Sequence, residues 1–214
     1  MRDEPPPPRD LRSRPPEGVQ ASLRRLGEGL TIARSELILG GQKSGKTARA
    51  EALAAAWLAR SPAHRAVYIA TAQAWDEEMR ERIDRHRRDR AGRVPRMRTV
   101  EEPLALAQAI GQNSRPGTLV VVDCLTLWLT ALLMPAVAVE GAVPEPASVA
   151  RAVAACAGPL VLISNEIGLG VIPMGRDVRQ FVDALGSLNQ QAAAACERVT
   201  LMSAGLPMTL KAPA

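Results

Sequence analysis

From residue 36 onward, short apolar runs alternate with longer stretches in which apolar residues recur every three or four positions. The runs at 36–39, 66–70, 97–100, 118–122, 160–164 and 199–203 have the length and residue types of strands. The stretches between them, at 46–60, 76–90, 103–112, 125–133, 147–156 and 176–195, carry a helical period or a high alanine content. Residues 118–122 and 160–164 are apolar almost throughout rather than alternating, as in strands covered on both faces. Strand–helix alternation of this kind predicts an α/β fold, a mostly parallel sheet with helices on both faces. A last run, 207–211, follows Gly205 closely enough to return as a hairpin, so it predicts one antiparallel edge strand.

Ahead of this pattern, residues 1–34 hold six of the 17 prolines and seven arginines against five acids, with little apolar period apart from a possible short helix at 21–26. They read as a disordered Pro/Arg-rich tail, with a polyproline stretch at 5–8, ahead of a single domain over 35–214. The one long connection inside that domain is 135–146.

Composition narrows the class. Apolar residues are 47% and charged residues 23% of 214, ordinary for a globular chain. No uncharged apolar run is long enough to span a membrane, and the N-terminus lacks the apolar core of a secretory leader. Cys124, Cys156 and Cys196 are widely spaced and odd in number, which excludes a disulfide scaffold and a paired-cysteine zinc site. A reducing, cytoplasmic setting is the expectation. The net charge of +5 is local: residues 80–98 carry nine arginines and three acids, and the rest of the chain is close to neutral. Aromatic residues are 2%, too few for a stacking platform, so nucleic acid is not expected as a partner.

The first strand runs into Gly40, Gly41, Gln42, Lys43, Ser44, Gly45, Lys46 and Thr47, a GxxxxGKT phosphate loop that opens a helix. Glycines let successive backbone N–H groups curl around phosphate oxygens, and the helix directs its positive end at the same point. Lys46 is placed for the β- and γ-phosphates and the Thr47 hydroxyl for Mg²⁺. Asp123 closes the apolar run 118–122 at the end of a parallel strand where ligands collect, and reads either as the second magnesium carboxylate or as a helix cap.

In the basic stretch, Arg82 and Arg90 flank His86 at one helical turn on either side. Adjacent cations lower an imidazole's pKa, and only a neutral imidazole can attack phosphorus. An arginine-rich helix is also simply a solvated face. On the residues alone a P-loop small-molecule kinase with one activity, or a nucleotide-binding regulatory protein that docks a partner on this helix, stays open.

Stretches 37–51, 68–90, 98–103, 120–133, 164–173, 176–207 and 209–211 together resemble the bifunctional adenosylcobinamide kinase/adenosylcobinamide-phosphate guanylyltransferase family. The most specific are the ATAQ–DEEM–RI–HR segment and NEIGLGVIP. The resemblance implies a RecA-like P-loop sheet, homo-oligomers, and two reactions with ATP and GTP as substrates. Adenosylcobinamide is phosphorylated by a nucleoside triphosphate. GMP is then transferred from GTP to adenosylcobinamide phosphate through a GMP–histidine intermediate, giving adenosylcobinamide-GDP. His86 falls on the guanylylated position, and Lys46 on the catalytic lysine. By the same matching the phosphate loop, Ala70, Thr71, Ala72, Arg87, Arg88, Asp89, Arg90, Glu101 and Asp123 contact nucleotide. Thr47 and Asp123 would hold Mg²⁺. Asn165 and Glu166 emerge from a buried strand and are suggested to border the corrinoid.

Overall fold

The computed structural model describes residues 30–74, 76–134 and 145–213. The expected tail up to residue 29, its short helix at 21–26 and most of the connection 135–146 lie outside the described residues. Seven strands, β1 (Ser35–Gly40), β2 (Arg65–Ala70), β3 (Met97–Glu101), β4 (Thr118–Asp123), β5 (Leu160–Ile163), β6 (Arg198–Ser203) and β7 (Leu206–Lys211), form one sheet. Their order is β3-β2-β4-β5-β1-β6-β7. Every pairing is parallel except β6 with β7. Six described helices connect them: α1 (Lys46–Arg60), α2 (Glu77–Arg93), α3 (Leu106–Asn113), α4 (Leu125–Leu133), α5 (Ala147–Ala155) and α6 (Arg176–Ala195).

The pleat sorts side chains into two cores. Leu37, Leu39, Val67, Ile69, Val120, Val122, Leu160 and Leu162 face α3, α4, α5 and α6. Their neighbours Ile38, Ala66, Tyr68, Leu119, Val121, Val161 and Ile163 face α1 and the segment after α2. Both faces are therefore covered, and the central strands need no polar side. Trp128 on α4 is fully buried, and its indole N–H reaches the Leu104 carbonyl at 2.8 Å.

Several bounds differ from those the pattern predicts. β1, β2 and β6 start one residue earlier, because ladder pairing continues through the polar residues Ser35, Arg65 and Arg198. Helix α2 begins after Asp76, whose carboxylate accepts from the Met79 N–H at 2.7 Å, and runs on to Arg93. Helix α3 starts later than predicted, because the Glu102 side chain accepts from the N–H groups of Leu104 and Ala105. Residues 30–34, expected as the end of the tail, pack on the domain: Leu30 and Ile32 join the α1-side core, and Arg198 donates to Thr31. The domain's packed edge therefore lies ahead of residue 35.

Trp128→Ala removes the largest fully buried side chain and strands the Leu104 carbonyl. It should cost about 3–5 kcal/mol, read as a lowered urea midpoint at unchanged m-value; a loss below about 1 kcal/mol would contradict this packing.

Candidate active site at the phosphate loop

The loop between β1 and α1 has a backbone that suits anions. Gly40 has φ 150°, and a β-carbon there would meet the Met202 carbonyl and the Ser44 hydroxyl at 2.5 Å. Gly45 has φ 104°, the left-handed region that glycine adopts without a side-chain clash, and it starts α1 with no side-chain cap. The N–H groups of the first turn are thus left for a ligand, at the positive end of a helix. Four bonds pin the loop. Lys46 Nζ donates back to the Gly40 and Gly41 carbonyls at 2.9 and 2.7 Å, the Glu166 N–H donates to Gly40, and the Gly205 N–H donates to Ser44. Burial holds the Lys46 ammonium below the usual lysine range, while Cys124 and Asp123 act the other way. The buried Ser44 hydroxyl has no partner, an orphan that a bound phosphate would satisfy.

Asp123, at the end of β4, is the hub. Its Oδ2 accepts from Thr47 Oγ1 at 3.0 Å and from the Tyr68 hydroxyl. Because Thr47 donates its proton to Asp123, its oxygen lone pairs stay free for a cation. The oxygen donors Thr47 and Asp123 beside a phosphate cradle fit Mg²⁺, which takes a few protein oxygens and completes its shell with phosphate and water. Burial, and then Asp123, pushes the Tyr68 phenol well above its ordinary value, so it remains a donor.

Sheet register aligns Ala70 with Asp123 on one side and Glu101 on the other, so three residues singled out in the sequence form a row across β4, β2 and β3. Thr71 is fully buried. Its hydroxyl donates to the Cys124 carbonyl at 2.7 Å and accepts from the Cys124 N–H at 2.8 Å, which ties the ends of β2 and β4 together. Glu101 pairs with Arg87, and Asp89 pairs with Arg93 at 3.3 Å. Arg88 is exposed.

Only Arg90 is buried on α2. Its guanidinium lies 3.8 Å from the centre of the Tyr68 ring and donates to Thr99 Oγ1 at 3.1 Å. Beside it, Arg93 reaches across to Glu51 of α1 at 2.5 Å. Burial raises the Glu51 carboxyl above the ordinary range, and Arg93 opposes that shift. His86, one turn before Arg90, is exposed. Partial desolvation holds its imidazole below the usual histidine range, with Arg82 and Arg90 acting the same way and Asp123 and Asp89 against. The helix that carries His86 seats Arg90 on the ring of Tyr68, the donor to Asp123, and pairs Arg87 with Glu101 at the end of β3, so it lies along the same rim as the phosphate loop.

On the other side of the loop, the Asn165 N–H donates to Thr126 Oγ1 at 2.9 Å, and the Asn165 carbonyl accepts from Asn189 of α6 at 3.0 Å. Glu166 closes a local turn by accepting from the Gly168 N–H. Beyond it Leu169, Val171, Ile172 and Met174 expose apolar side chains. Sequence reasoning passed over Tyr68, Thr126 and Asn189, whose hydrogen bonds join Asp123 and Asn165. An aromatic residue in a buried strand reads as core, and only its place on the same face as Ala70, two residues on, hints at the site. The three cysteines are free and buried, and burial pushes the thiols of Cys124 and Cys196 up to about 12, so neither is a ready nucleophile.

Sheet order, phosphate loop and strand-end carboxylate together define a P-loop nucleotide-binding enzyme. The sequence profile described as cobinamide kinase / cobinamide phosphate guanyltransferase matches residues 36–210, and the chain belongs to that family of bifunctional enzymes. It is 48% identical to the bifunctional adenosylcobalamin biosynthesis protein CobP of Pseudomonas aeruginosa, over 82% of this chain and 96% of that one. It is 35% identical to the bifunctional adenosylcobalamin biosynthesis protein CobU of Escherichia coli, over 82% and 98%. A solved structure, the flagellar accessory protein FlaH of Methanocaldococcus jannaschii, aligns with 90% of this chain and 84% of its own at 13% identity and a TM-score of 0.45. Among the described residues no helix is long and apolar enough to cross a membrane.

The His86 imidazole should titrate below 6.5 in an NMR pH series. Removing a positive neighbour favours the protonated form, so Arg82→Gln should raise that midpoint. A wild-type midpoint at or above 6.5, or a fall in the variant, would contradict this electrostatic picture.

Proposed function

We propose that both family reactions run on this rim, with the phosphate loop as the nucleotide site and His86 as the acceptor of GMP. The observation that carries the reading is that one carboxylate joins the loop to the His86 helix: Asp123 accepts from Thr47 and from Tyr68, and the Tyr68 ring seats Arg90, one turn from His86. Backbone N–H groups from Gly41 to Thr47 take the phosphate oxygens, and Lys46 turns from the loop carbonyls toward the β- and γ-phosphates. Thr47 and Asp123 would hold Mg²⁺, whose charge would offset that of the departing phosphates.

In the transfer half, the neutral His86 nitrogen attacks the α-phosphorus of GTP. An N–P bond forms, the bond from the α-phosphorus to the bridging oxygen breaks, and pyrophosphate leaves. A phosphate oxygen of adenosylcobinamide phosphate then attacks the same phosphorus and expels the imidazole, which returns to its starting state. Dividing the displacement in two is covalent catalysis. A lowered pKa keeps the nucleophile neutral, and Arg82, Arg87, Arg88 and Arg90 offset the charge of the triphosphate. Because His86 is exposed, the second substrate can approach it from solvent. In the kinase half, the hydroxyl oxygen of the aminopropanol arm attacks the γ-phosphorus of ATP or GTP at the same loop; the new O–P bond forms as the bond from the γ-phosphorus to the bridging oxygen breaks, the nucleoside diphosphate leaves and the hydroxyl proton passes to solvent. Asn165, Glu166 and the apolar segment 169–174 border the corrinoid, whose large ring matches an exposed apolar surface beside a polar pair.

His86→Ala should lower guanylyl transfer to adenosylcobinamide phosphate at least about a thousandfold while changing GTP affinity less than about threefold. Lys46→Ala should instead weaken GTP binding by about a hundredfold. Activity of His86→Ala near wild type, or undiminished GTP affinity in Lys46→Ala, would reject these assignments.

A further inference from the structure

We propose that Tyr68 is a positioning residue that couples the phosphate loop to the His86 helix, using its hydroxyl for one and its ring for the other. This rests on the reading above, in which Thr47 and Asp123 serve nucleotide and metal and His86 accepts GMP.

The hydroxyl comes first. Tyr68 is 4% exposed, and its O–H donates to Asp123 Oδ2, the oxygen that already accepts from Thr47 Oγ1. Two donors on one oxygen fix the rotation of the carboxylate. Among the described residues no protein donor meets the other oxygen, Oδ1, which therefore points free for a cation or its water shell.

The ring carries the second half. Arg90 is also 4% exposed, yet it forms no salt bridge among the described residues, because the nearby acids Glu51 and Asp89 are taken by Arg93. What steadies this buried cation is the face of the Tyr68 ring at 3.8 Å together with Thr99. Since no other residue of α2 is buried, the seat of Arg90 on that ring, with the more exposed Arg93–Glu51 and Arg87–Glu101 pairs, sets where the helix lies against the sheet. His86 is one turn away on the same helix face. The two halves act through different atoms, so they can be separated chemically.

Tyr68→Phe deletes the hydroxyl and keeps the ring; Tyr68→Leu deletes both. Two quantities are read: the Mg²⁺ concentration that half-saturates binding of a fluorescent GTP analogue, and the single-turnover rate of covalent GMP incorporation at saturating GTP and Mg²⁺. The Phe variant should need about five- to tenfold more Mg²⁺ while its labelling rate stays within about twofold. The Leu variant should show the same Mg²⁺ shift and label about tenfold more slowly. An unchanged Mg²⁺ requirement in Tyr68→Phe overturns the proposal, as does wild-type labelling in Tyr68→Leu. Equal slowing of labelling in both variants, with no Mg²⁺ shift, is the signature of a merely structural tyrosine and overturns it too. The Phe arm decides the matter even where the Leu variant fails to fold. The underlying reading fails separately, through labelling of His86→Ala or undiminished GTP binding by Lys46→Ala.

Discussion

One carboxylate oxygen organises this site. Asp123 Oδ2 receives hydroxyl donors from α1 and β2, and the strand it ends is central in a parallel sheet. A carboxylate at that depth must be hydrogen-bonded, and the two hydroxyls that satisfy it belong to the phosphate loop and to the strand beneath the histidine helix. The geometry of the rim therefore follows from satisfying one partly buried charge. Parallel pairing makes this possible, because it brings the carboxyl ends of β1, β2, β4 and β5 to one edge.

The two flanks of the loop differ in rigidity. The phosphate loop is braced by Lys46, Glu166 and Gly205. Helix α2 buries a single side chain and is otherwise held by Arg93 to Glu51 and Arg87 to Glu101. On the proposed reading, a lightly seated helix suits a histidine that must meet first a bound GTP and then a bulky acceptor. The loop, which only has to hold phosphates, can be stiff.

Much of this was legible in the chain. The apolar runs marked the central strands, because strands buried on both faces leave little room for polar residues; β7, exposed along its length, was marked by its place just after Gly205. GxxxxGKT and Asp123 needed only their place after such runs. Element ends were less legible. Pairing passes through polar residues such as Ser35 and Arg65 as readily as apolar ones, and the caps Asp76 and Glu102 act through side-chain geometry. Tyr68 was hidden for a different reason. Its ring belongs to the core and its hydroxyl to the site, and a sequence pattern registers only the first. What seats the His86 helix joins residues far apart in the chain, Arg90 with Tyr68 and Tyr68 with Asp123, so the spacing of charges around His86 could suggest a lowered pKa but not where the helix lies.

The central proposal is that His86, on the helix beside the phosphate loop's rim, is the group that takes GMP. The most direct test is to incubate the protein with α-³²P-GTP and Mg²⁺, denature it, and locate the label by peptide mass spectrometry. The account predicts GMP on His86 through a bond that survives base and is lost in acid. GTP that binds without leaving covalent label, or label fixed to another residue, would contradict it.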